Sequence, residues 1–176
     1  MVRFNASLLA KVPRTPMSLV GYRNQAVGFD PRSGNGARRF GGRFNPPRSF
    51  PVIYLCATRP CVLAELTRQA VRQGLVVDDL LPRELWRVTA ELSATLDLTD
   101  RATLDMLEID VNGLVHDDVQ LTREIGEAAQ AQGVQAIRAP SATGIDTVVV
   151  VLANNLAGTV LEAELIERWR TTSDFG

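Results

Sequence analysis

The residues whose types could do chemistry begin in a window that is rich in arginine and free of acid. Between residues 31 and 64 there is no aspartate or glutamate, although the net charge of the whole chain is only −1. The arginines of this acid-free window are Arg32, Arg38, Arg39, Arg43, Arg48 and Arg59. A Gly41–Gly42 pair and Tyr54 lie within it, and Glu65 is the first carboxylate after it. The positive charge is therefore segregated into one segment.

Arginines, glycines and a single carboxylate suit the cleavage of a dinucleotide such as NAD⁺. The planar guanidinium group binds phosphate oxygens in pairs, and glycine lets the backbone approach a phosphate closely. When the nicotinamide–ribose bond breaks, nicotinamide leaves as a neutral base, so no acid has to protonate it. A carboxylate such as Glu65 can stabilise the positive charge that develops on the ribose. Ordinary glycosidases need a second carboxyl group for the leaving oxygen, which is dispensable in this reaction.

Other interpretations of the same residues stay open at the level of the sequence. Glu65 lies beside the apolar face of a predicted helix, where it could equally make an ordinary surface ion pair. The acid-free window could be a structural loop held together by its own arginines. Aromatic residues alternate with these arginines, as in modules that stack on nucleic-acid bases. They are Phe40, Phe44, Phe50 and Tyr54. The pI near 5.9 argues against such a module, because nucleic-acid-binding domains are usually basic.

Several familiar catalytic and metal sites are missing from the sequence. It contains no Walker A, GxGxxG, GxSxG or HExxH motif, and His116 is its only histidine. Cys56 and Cys61 lack the spacing and the histidine partners of a zinc site, so we expect them to be small buried apolar residues. The sequence therefore predicts no metal site and no bound cofactor.

Length and hydropathy predict one globular domain that covers residues 1–176 and lies in the cytoplasm. A chain of 176 residues, 45% of them apolar, can bury a core without disulfide bonds. The chain has no uninterrupted apolar run of about 18 residues, so no membrane-spanning helix is expected. Residues 1–16 lack the apolar segment of a signal peptide, because Lys11 and Pro13 follow directly after a short apolar stretch.

Hydrophobic periodicity and turn residues predict a mixture of strands and helices. Strands are expected at 18–23, 51–56, within 84–98, at 134–139 and at 147–153, with a further short one at 159–161. Helices are expected from 58 to about 73, at 121–132, and as a last short helix that ends near 170. Residues 24–50, rich in glycine, proline and arginine, are predicted to be a long loop or a few short pieces, and such loops are usually functional.

Together these motifs resemble the RES-domain family of bacterial NAD⁺-degrading toxins. The resemblance covers most of the chain, from about Tyr22 to Asn155, and its motif-bearing part lies within about 18–161. It rests on a Tyr-Arg pair, GARRFGGRFNPP, FPVIYL, VLAEL, TREIGEAAQAQG and RAPSA. The segment TGIDT at 143–147 departs from the family pattern, which is richer in asparagine and glycine at this step into the last strand.

The resemblance assigns roles to individual residues. The family is named for an arginine, a glutamate and a serine, which match Arg43, Glu65 and Ser141, and its active-site tyrosine matches Tyr54. These four residues are the implied catalytic set. The implied NAD⁺-binding set is Tyr22, Arg23, Gly41, Gly42, Arg43, Asn45 and Tyr54. The resemblance also implies that the arginine-rich, acid-free window forms a cradle for the pyrophosphate, with the nicotinamide end of NAD⁺ directed at Tyr54 and Glu65. Ser141 is expected to hydrogen-bond a ribose or phosphate group of NAD⁺ rather than to act as a nucleophile, because no base partner is evident for it.

The resemblance also implies a fold, an activity and a partner. The fold is a compact α+β domain related to ADP-ribosyltransferases, with a mixed β-sheet flanked by helices. The activity is NAD⁺ cleavage by the toxin of a toxin–antitoxin module, and NAD⁺ is then a substrate rather than a cofactor. Water as acceptor would make the enzyme a glycohydrolase, inorganic phosphate as co-substrate a phosphorylase, and a protein side chain an ADP-ribosyltransferase. The implied partner is an antitoxin with a helix-turn-helix DNA-binding part, while this chain alone should bind neither nucleic acid nor membranes.

Overall fold

The computed structural model describes residues 3–176, which fold around six β-strands. The strands are β1 (Thr15–Ala26), β2 (Val52–Cys56), β3 (Arg83–Asp97), β4 (Ala136–Pro140), β5 (Thr147–Leu152) and β6 (Glu162–Trp169). The α-helices are α1 (Ala6–Leu9), α2 (Asn35–Phe40), α3 (Arg59–Arg72), α4 (Arg101–Leu107), α5 (Val111–Val115) and α6 (Gln120–Ala131). Short 3-10 turns are found at Val77–Leu80, Ala153–Asn155 and Thr172–Phe175.

All six strands belong to one mixed sheet, in the order β1-β2-β5-β4-β3-β6. β3 and β4 run parallel, whereas the other neighbouring strands run antiparallel. The long strand β3 also pairs with β1, so the hydrogen-bonded order closes on itself. The predicted α+β class, with a mixed sheet flanked by helices, is confirmed.

Two helices begin and end where the sequence predicts. The hydroxyl group of Thr58 accepts a hydrogen bond from the backbone N–H of Cys61 and caps the start of α3. Gly74 follows the end of α3 with a φ of +68°, a conformation that favours glycine. Gly133 has the same role after α6, with a φ of +75°.

The segment after residue 161 is a strand, so the predicted last helix is wrong. Alanine, leucine and glutamate in EAELIERW favour a helix by local propensity. Pairing along β3 from Arg83–Trp169 to Thr89–Glu162 overrides that preference. Its side chains alternate between the two faces, and Trp169 at its end is fully buried.

The residues predicted as a long loop, 24–50, are partly regular. β1 continues to Ala26, three residues beyond the predicted strand end, and α2 occupies Asn35–Phe40. The rest of the segment is turns, and Phe44 within it is 1% exposed in the main hydrophobic core. The segment is therefore fixed to the domain rather than free over its surface.

The core lies on both faces of the sheet. On one face α1, α4, α5 and α6 pack against the strands through Leu9, Leu104, Leu114, Ile125, Ile137 and Val150. On the other face the contacts are made among β1, β2, β3 and β5, for example by Leu19, Ile53, Val88 and Val151. α3 packs separately, through Val62 and Leu66, against Leu85 and Trp169. Within residues 3–176 no helix is both long enough and apolar enough to span a lipid bilayer.

Candidate active site

A cleft of about 380 Å³ opens between β1, β2, α3 and the loop after α2. Most of the candidate residues identified from the sequence line this cleft, and they come from four separate segments of the chain. Those that line it are Tyr22, Arg23, Gly41, Gly42, Arg43, Tyr54 and Glu65. Asn45 and Ser141 do not line the cleft, but each is hydrogen-bonded to a residue that does.

The loop that carries Gly42 and Arg43 is held from behind by α6. The Thr122 hydroxyl donates to the carbonyl oxygen of Arg43 at 2.6 Å, and Arg123 Nε donates to the carbonyl oxygen of Gly42 at 3.1 Å. Phe44, the next residue, is buried in the main core. Backbone and side chain together therefore fix the position from which Arg43 enters the cleft.

Two glycines allow this close packing. A Cβ atom on Gly126 of α6 would lie 1.7 Å from the carbonyl oxygen of Phe44, so only glycine fits between the helix and the loop. A Cβ atom on Gly42 would lie 2.4 Å from the Tyr54 hydroxyl oxygen. Real Cβ atoms do not approach other heavy atoms so closely, and the loop therefore depends on both glycines.

Tyr54 joins the cleft to the loop through its hydroxyl group. That hydroxyl donates to Asn45 Oδ1 at 2.8 Å and accepts from the backbone N–H of Phe44 at 2.9 Å. The Asn45 amide in turn donates to the carbonyl oxygen of Ala37 at 2.8 Å, in α2. Burial raises the pKa of Tyr54, against the opposing effect of the hydrogen bond from the Phe44 backbone N–H, so the phenol stays protonated at neutral pH. Tyr54 therefore lines the cleft, while its hydroxyl group is hydrogen-bonded to Phe44 and Asn45 of the loop.

Glu65 is oriented by the end of β4. Ser141 Oγ lies 2.8 Å from Glu65 Oε1 and 2.7 Å from Thr143 Oγ1. A serine hydroxyl has one proton, which it donates to the Glu65 carboxylate, so Thr143 is the donor in the second bond. Ser141 is 2% exposed, and its backbone N–H donates to the carbonyl oxygen of Asp146 at 3.0 Å. The TGIDT segment that departs from the family pattern is thus the turn that holds Ser141.

Arg43 reaches the cleft as a poorly compensated cation. Its Nη1 donates to the carbonyl oxygens of His116 at 2.6 Å and Leu114 at 3.3 Å, and its Nη2 is buried without a partner among the residues described. Burial lowers the pKa of Arg43, and the nearby charges of Arg68 and Arg72 lower it further. His116 therefore contributes a backbone carbonyl group to the site.

Arg23 is the second half-buried cation of the cleft. Burial lowers its pKa to about 10, which still leaves the guanidinium group charged at neutral pH. Its Nη1 donates to the carbonyl oxygens of Pro31 and Ser33, at 2.9 and 3.2 Å. Among residues 3–176, neither Arg23 nor Arg43 has a carboxylate within ion-pair distance. The cleft therefore contains two guanidinium groups that are available to bind an anion.

The sequence interpretation missed Arg68 and Arg72, which also line the cleft. They follow Glu65 at spacings of three and seven residues in α3, so all three side chains lie on one face of the helix. Arg68 Nη2 and Arg72 Nη2 lie 2.8 and 3.3 Å from the same oxygen, Oδ1 of Asp117. Their helical spacing from Glu65 is the sequence signal that could have identified them as residues of the cleft.

The expectation that the acid-free window forms a phosphate cradle needs correction. Of its arginines, only Arg43 lines the cleft. Arg32 pairs with Asp30, and Arg59 pairs with Glu167 at 2.8 Å. The other three, Arg38, Arg39 and Arg48, are exposed and lie outside the cleft lining. The cations of the cleft come instead from β1, from the loop before β2 and from α3, because the sheet and α3 bring these segments together.

The two cysteines are free and buried, as expected for small apolar residues. Cys56 also contributes to the cleft lining. A hydrogen bond between the two thiols raises the pKa of Cys56, and burial adds to this effect. In the part of the chain that the structure covers, no group of three or more histidine, cysteine or acidic side chains is placed to hold a metal ion.

The sequence profile of the RES domain matches residues 19–174. The chain belongs to the RES-domain family. The match includes β6 and confirms the resemblance deduced from the motifs. The NAD(+) phosphorylase MbcT of Mycobacterium tuberculosis (strain H37Rv) is 32% identical over 130 residues, which cover 73% of this chain and 70% of MbcT. MbcT of Mycobacterium bovis shows the same identity and coverage.

The RES fold is also similar to a solved structure, the crystal structure of the M. tuberculosis MbcT–MbcA toxin–antitoxin complex. The TM-score is 0.79 and the sequence identity 26%, and the match covers 92% of this chain and 91% of that one. The likeness thus extends over nearly the whole RES domain described above.

Proposed function

We propose that this chain is the toxin of a toxin–antitoxin module and that it depletes NAD⁺ by cleaving the nicotinamide–ribose bond. The observation that carries the proposal is the Glu65 carboxylate, fixed by Ser141 at 2.8 Å inside a cleft whose other charged groups are arginines. The names of the relatives, NAD(+) phosphorylase and toxin–antitoxin complex, support the same activity.

The cleft contains residues suited to binding the pyrophosphate and the nicotinamide of NAD⁺. Arg23 and Arg43 supply charge for the pyrophosphate, and the Gly41–Gly42 backbone can approach it without steric hindrance. The rings of Tyr22 and Tyr54 offer apolar surface for nicotinamide. Glu65 then faces the ribose between the two ends. Asn45 takes no direct part and positions Tyr54 and the loop.

The bond changes require no general acid at the leaving group. The electron pair of the C1′–N bond moves to the pyridinium nitrogen, which leaves as neutral nicotinamide. The ribose carbon becomes oxocarbenium-like, and the fixed Glu65 carboxylate stabilises that charge without reorganising. Ser141 is not the nucleophile in this proposal, because its single proton is directed to Glu65 and the residue is buried.

The acceptor of the ADP-ribosyl group decides between the three possible enzyme classes. Inorganic phosphate is the acceptor that we propose, in keeping with the name of the mycobacterial relatives. Purified protein should be incubated with NAD⁺ in buffers with and without phosphate, and nicotinamide release and product mass should be measured. We expect ADP-ribose 1″-phosphate when phosphate is present. The absence of nicotinamide release under both conditions would refute NAD⁺ cleavage, whereas free ADP-ribose alone would identify a glycohydrolase.

The same proposal implies a partner protein that inhibits the enzyme. An enzyme that consumes the NAD⁺ of its own cytoplasm requires an inhibitor, and the antitoxin in the related complex suggests one. A cleft with several arginines favours an inhibitor segment that brings carboxylate groups to its mouth. DNA binding would belong to a helix-turn-helix part of that antitoxin rather than to this chain.

A further inference from the structure

A side pocket extends the cleft along α3. It has a volume of about 190 Å³ and is lined by Glu65, Arg68, Gln69, Arg72 and Gln73. It shares Glu65, Arg68 and Arg72 with the main cleft. Since each water molecule of the liquid occupies about 30 Å³, the pocket has room for a small tetrahedral anion together with a few waters. It therefore adjoins the carboxylate that stabilises the reacting ribose.

The side chains around this pocket carry more positive than negative charge. Arg68 and Arg72 share one carboxylate oxygen, Asp117 Oδ1, and both lie close enough to Arg43 to lower its pKa. Arg43 has no carboxylate partner in residues 3–176, and its Nη2 is buried and unpaired there. Three guanidinium groups thus face two carboxylates, those of Glu65 and Asp117.

The carboxylate of Asp117 is a replaceable partner. Its side chain is 85% exposed, whereas that of Arg68 is only 21% exposed. Exposed ion pairs contribute little stability, so a dianion with several oxygens can compete for both arginines. One phosphate can receive hydrogen bonds from two guanidinium groups through different oxygens, which the single shared oxygen of Asp117 cannot match.

We infer that Arg68 and Arg72 form the binding site of the acceptor phosphate, with Asp117 as the group that the phosphate displaces. This inference rests on the proposed cleavage of NAD⁺ and deepens it. The site is separate from Arg23 and the Gly41–Gly42 loop, which serve the pyrophosphate. It holds the phosphate next to Glu65, where the ribose carbon is attacked.

The reaction at this site is balanced without a further reactant. An oxygen of HPO₄²⁻ forms a bond to the ribose C1′ as the C1′–N bond breaks, and the electron pair of that bond leaves with nicotinamide. The proton of HPO₄²⁻ stays on the phosphate ester. Arg68 and Arg72 offset the charge of the dianion, which would otherwise be repelled by Glu65 and by the pyrophosphate of NAD⁺.

The test measures phosphate in two independent ways on the full chain at constant ionic strength. Binding of inorganic phosphate to the free protein is measured by calorimetry, and the KM values for phosphate and for NAD⁺ are measured separately by nicotinamide release. The variants are Arg68→Gln, Arg72→Gln and Asp117→Asn. Arg38→Gln is the matched control, because Arg38 is an exposed arginine outside the cleft lining. Circular dichroism and thermal unfolding check that each variant is folded.

We expect Arg68→Gln and Arg72→Gln to weaken phosphate binding and raise its KM by about 10- to 100-fold, the usual effect of losing a hydrogen bond to a charged group. The KM for NAD⁺ should change much less. Asp117→Asn should strengthen phosphate binding, by up to about fivefold, and Arg38→Gln should behave as wild type.

Other results overturn the inference. Phosphate binding that is unchanged in both arginine variants would place the anion elsewhere, whether or not NAD⁺ is consumed. A rise in the KM for NAD⁺ as large as that for phosphate would assign the two arginines to the dinucleotide. Failure of the wild-type protein to release nicotinamide would refute the proposed function. The calorimetric comparison would still decide whether Arg68 and Arg72 bind phosphate.

Discussion

At the scale of single residues, the contact between Ser141 and Glu65 determines where the negative charge of the cleft lies. Glu65→Ala removes a preorganised charge, so NAD⁺ cleavage should fall by about 10²- to 10³-fold. Ser141→Ala keeps the carboxylate but removes its hydrogen bond, and a smaller loss of about 10- to 100-fold is expected. Nicotinamide release measures both effects. Glu127→Ala, at an exposed position of α6, is the control. Wild-type turnover by folded Glu65→Ala protein would contradict the mechanism.

Tyr54 is a second test at this scale. Tyr54→Phe leaves the Asn45 side-chain oxygen and the Phe44 N–H without the partner that both now have. Such buried groups cost about 1–3 kcal/mol when unsatisfied, so the free energy of unfolding should fall by that amount. Tyr54→Ala also leaves a cavity and should cost more, about 3–5 kcal/mol. Urea unfolding measures both values. Equal stability of Tyr54→Phe and wild type would mean that the hydroxyl does not hold the loop.

At the scale of elements, α6 and the Gly42–Phe44 loop form one unit. Gly126→Ala would place a methyl group 1.7 Å from the carbonyl oxygen of Phe44, so the helix and the loop must separate. We expect a loss of at least about 1–3 kcal/mol of unfolding free energy, as in overpacked cores, and a loss of NAD⁺ cleavage as Arg43 moves.

The stability control for that variant is Gly36→Ala, in helix α2, where an added Cβ meets nothing within 4 Å; Gly36 lines the cleft, so this variant is compared for unfolding and not for activity. Alanine is favoured over glycine inside a helix by about 0.5–1 kcal/mol, so this variant should be as stable as wild type or more so. If Gly126→Ala unfolds at the same urea concentration as Gly36→Ala and remains active, the helix does not position the loop.

At the scale of the whole molecule, the cleft holds two cations, Arg23 and Arg43, that pair with no carboxylate within residues 3–176, so a ligand or an inhibitor can neutralise them. Expression of the chain alone should stop bacterial growth and lower cellular NAD⁺, and co-expression with the cognate antitoxin should restore both. Glu65→Ala expressed at the same level should leave growth unaffected. Cell density and NAD⁺ content are the measurements. Normal growth and unchanged NAD⁺ during strong expression of folded wild-type protein would contradict the toxin assignment.

The sequence by itself determined the local elements with strong signals and singled out several residues that line the candidate cleft. Thr58 and Gly74 bound α3, and the unbroken apolar run of β5 marks a strand between two others, because these patterns act over a few neighbouring residues. Motif resemblance identified the family. It also indicated Arg43, Tyr54 and Glu65, which the structure brings to one cleft.

Only the tertiary structure decided which charges share that cleft. Arg38 and Arg43 are close in sequence, yet Arg38 is exposed while Arg43 meets Arg68 and Arg72, because the packing of α6 and α3 sets where each side chain lies. In the same way, pairing with β3 made a strand of β6 against its helical propensity. Local patterns fix elements through short-range interactions, whereas a charged site depends on distances between elements that are far apart in the chain.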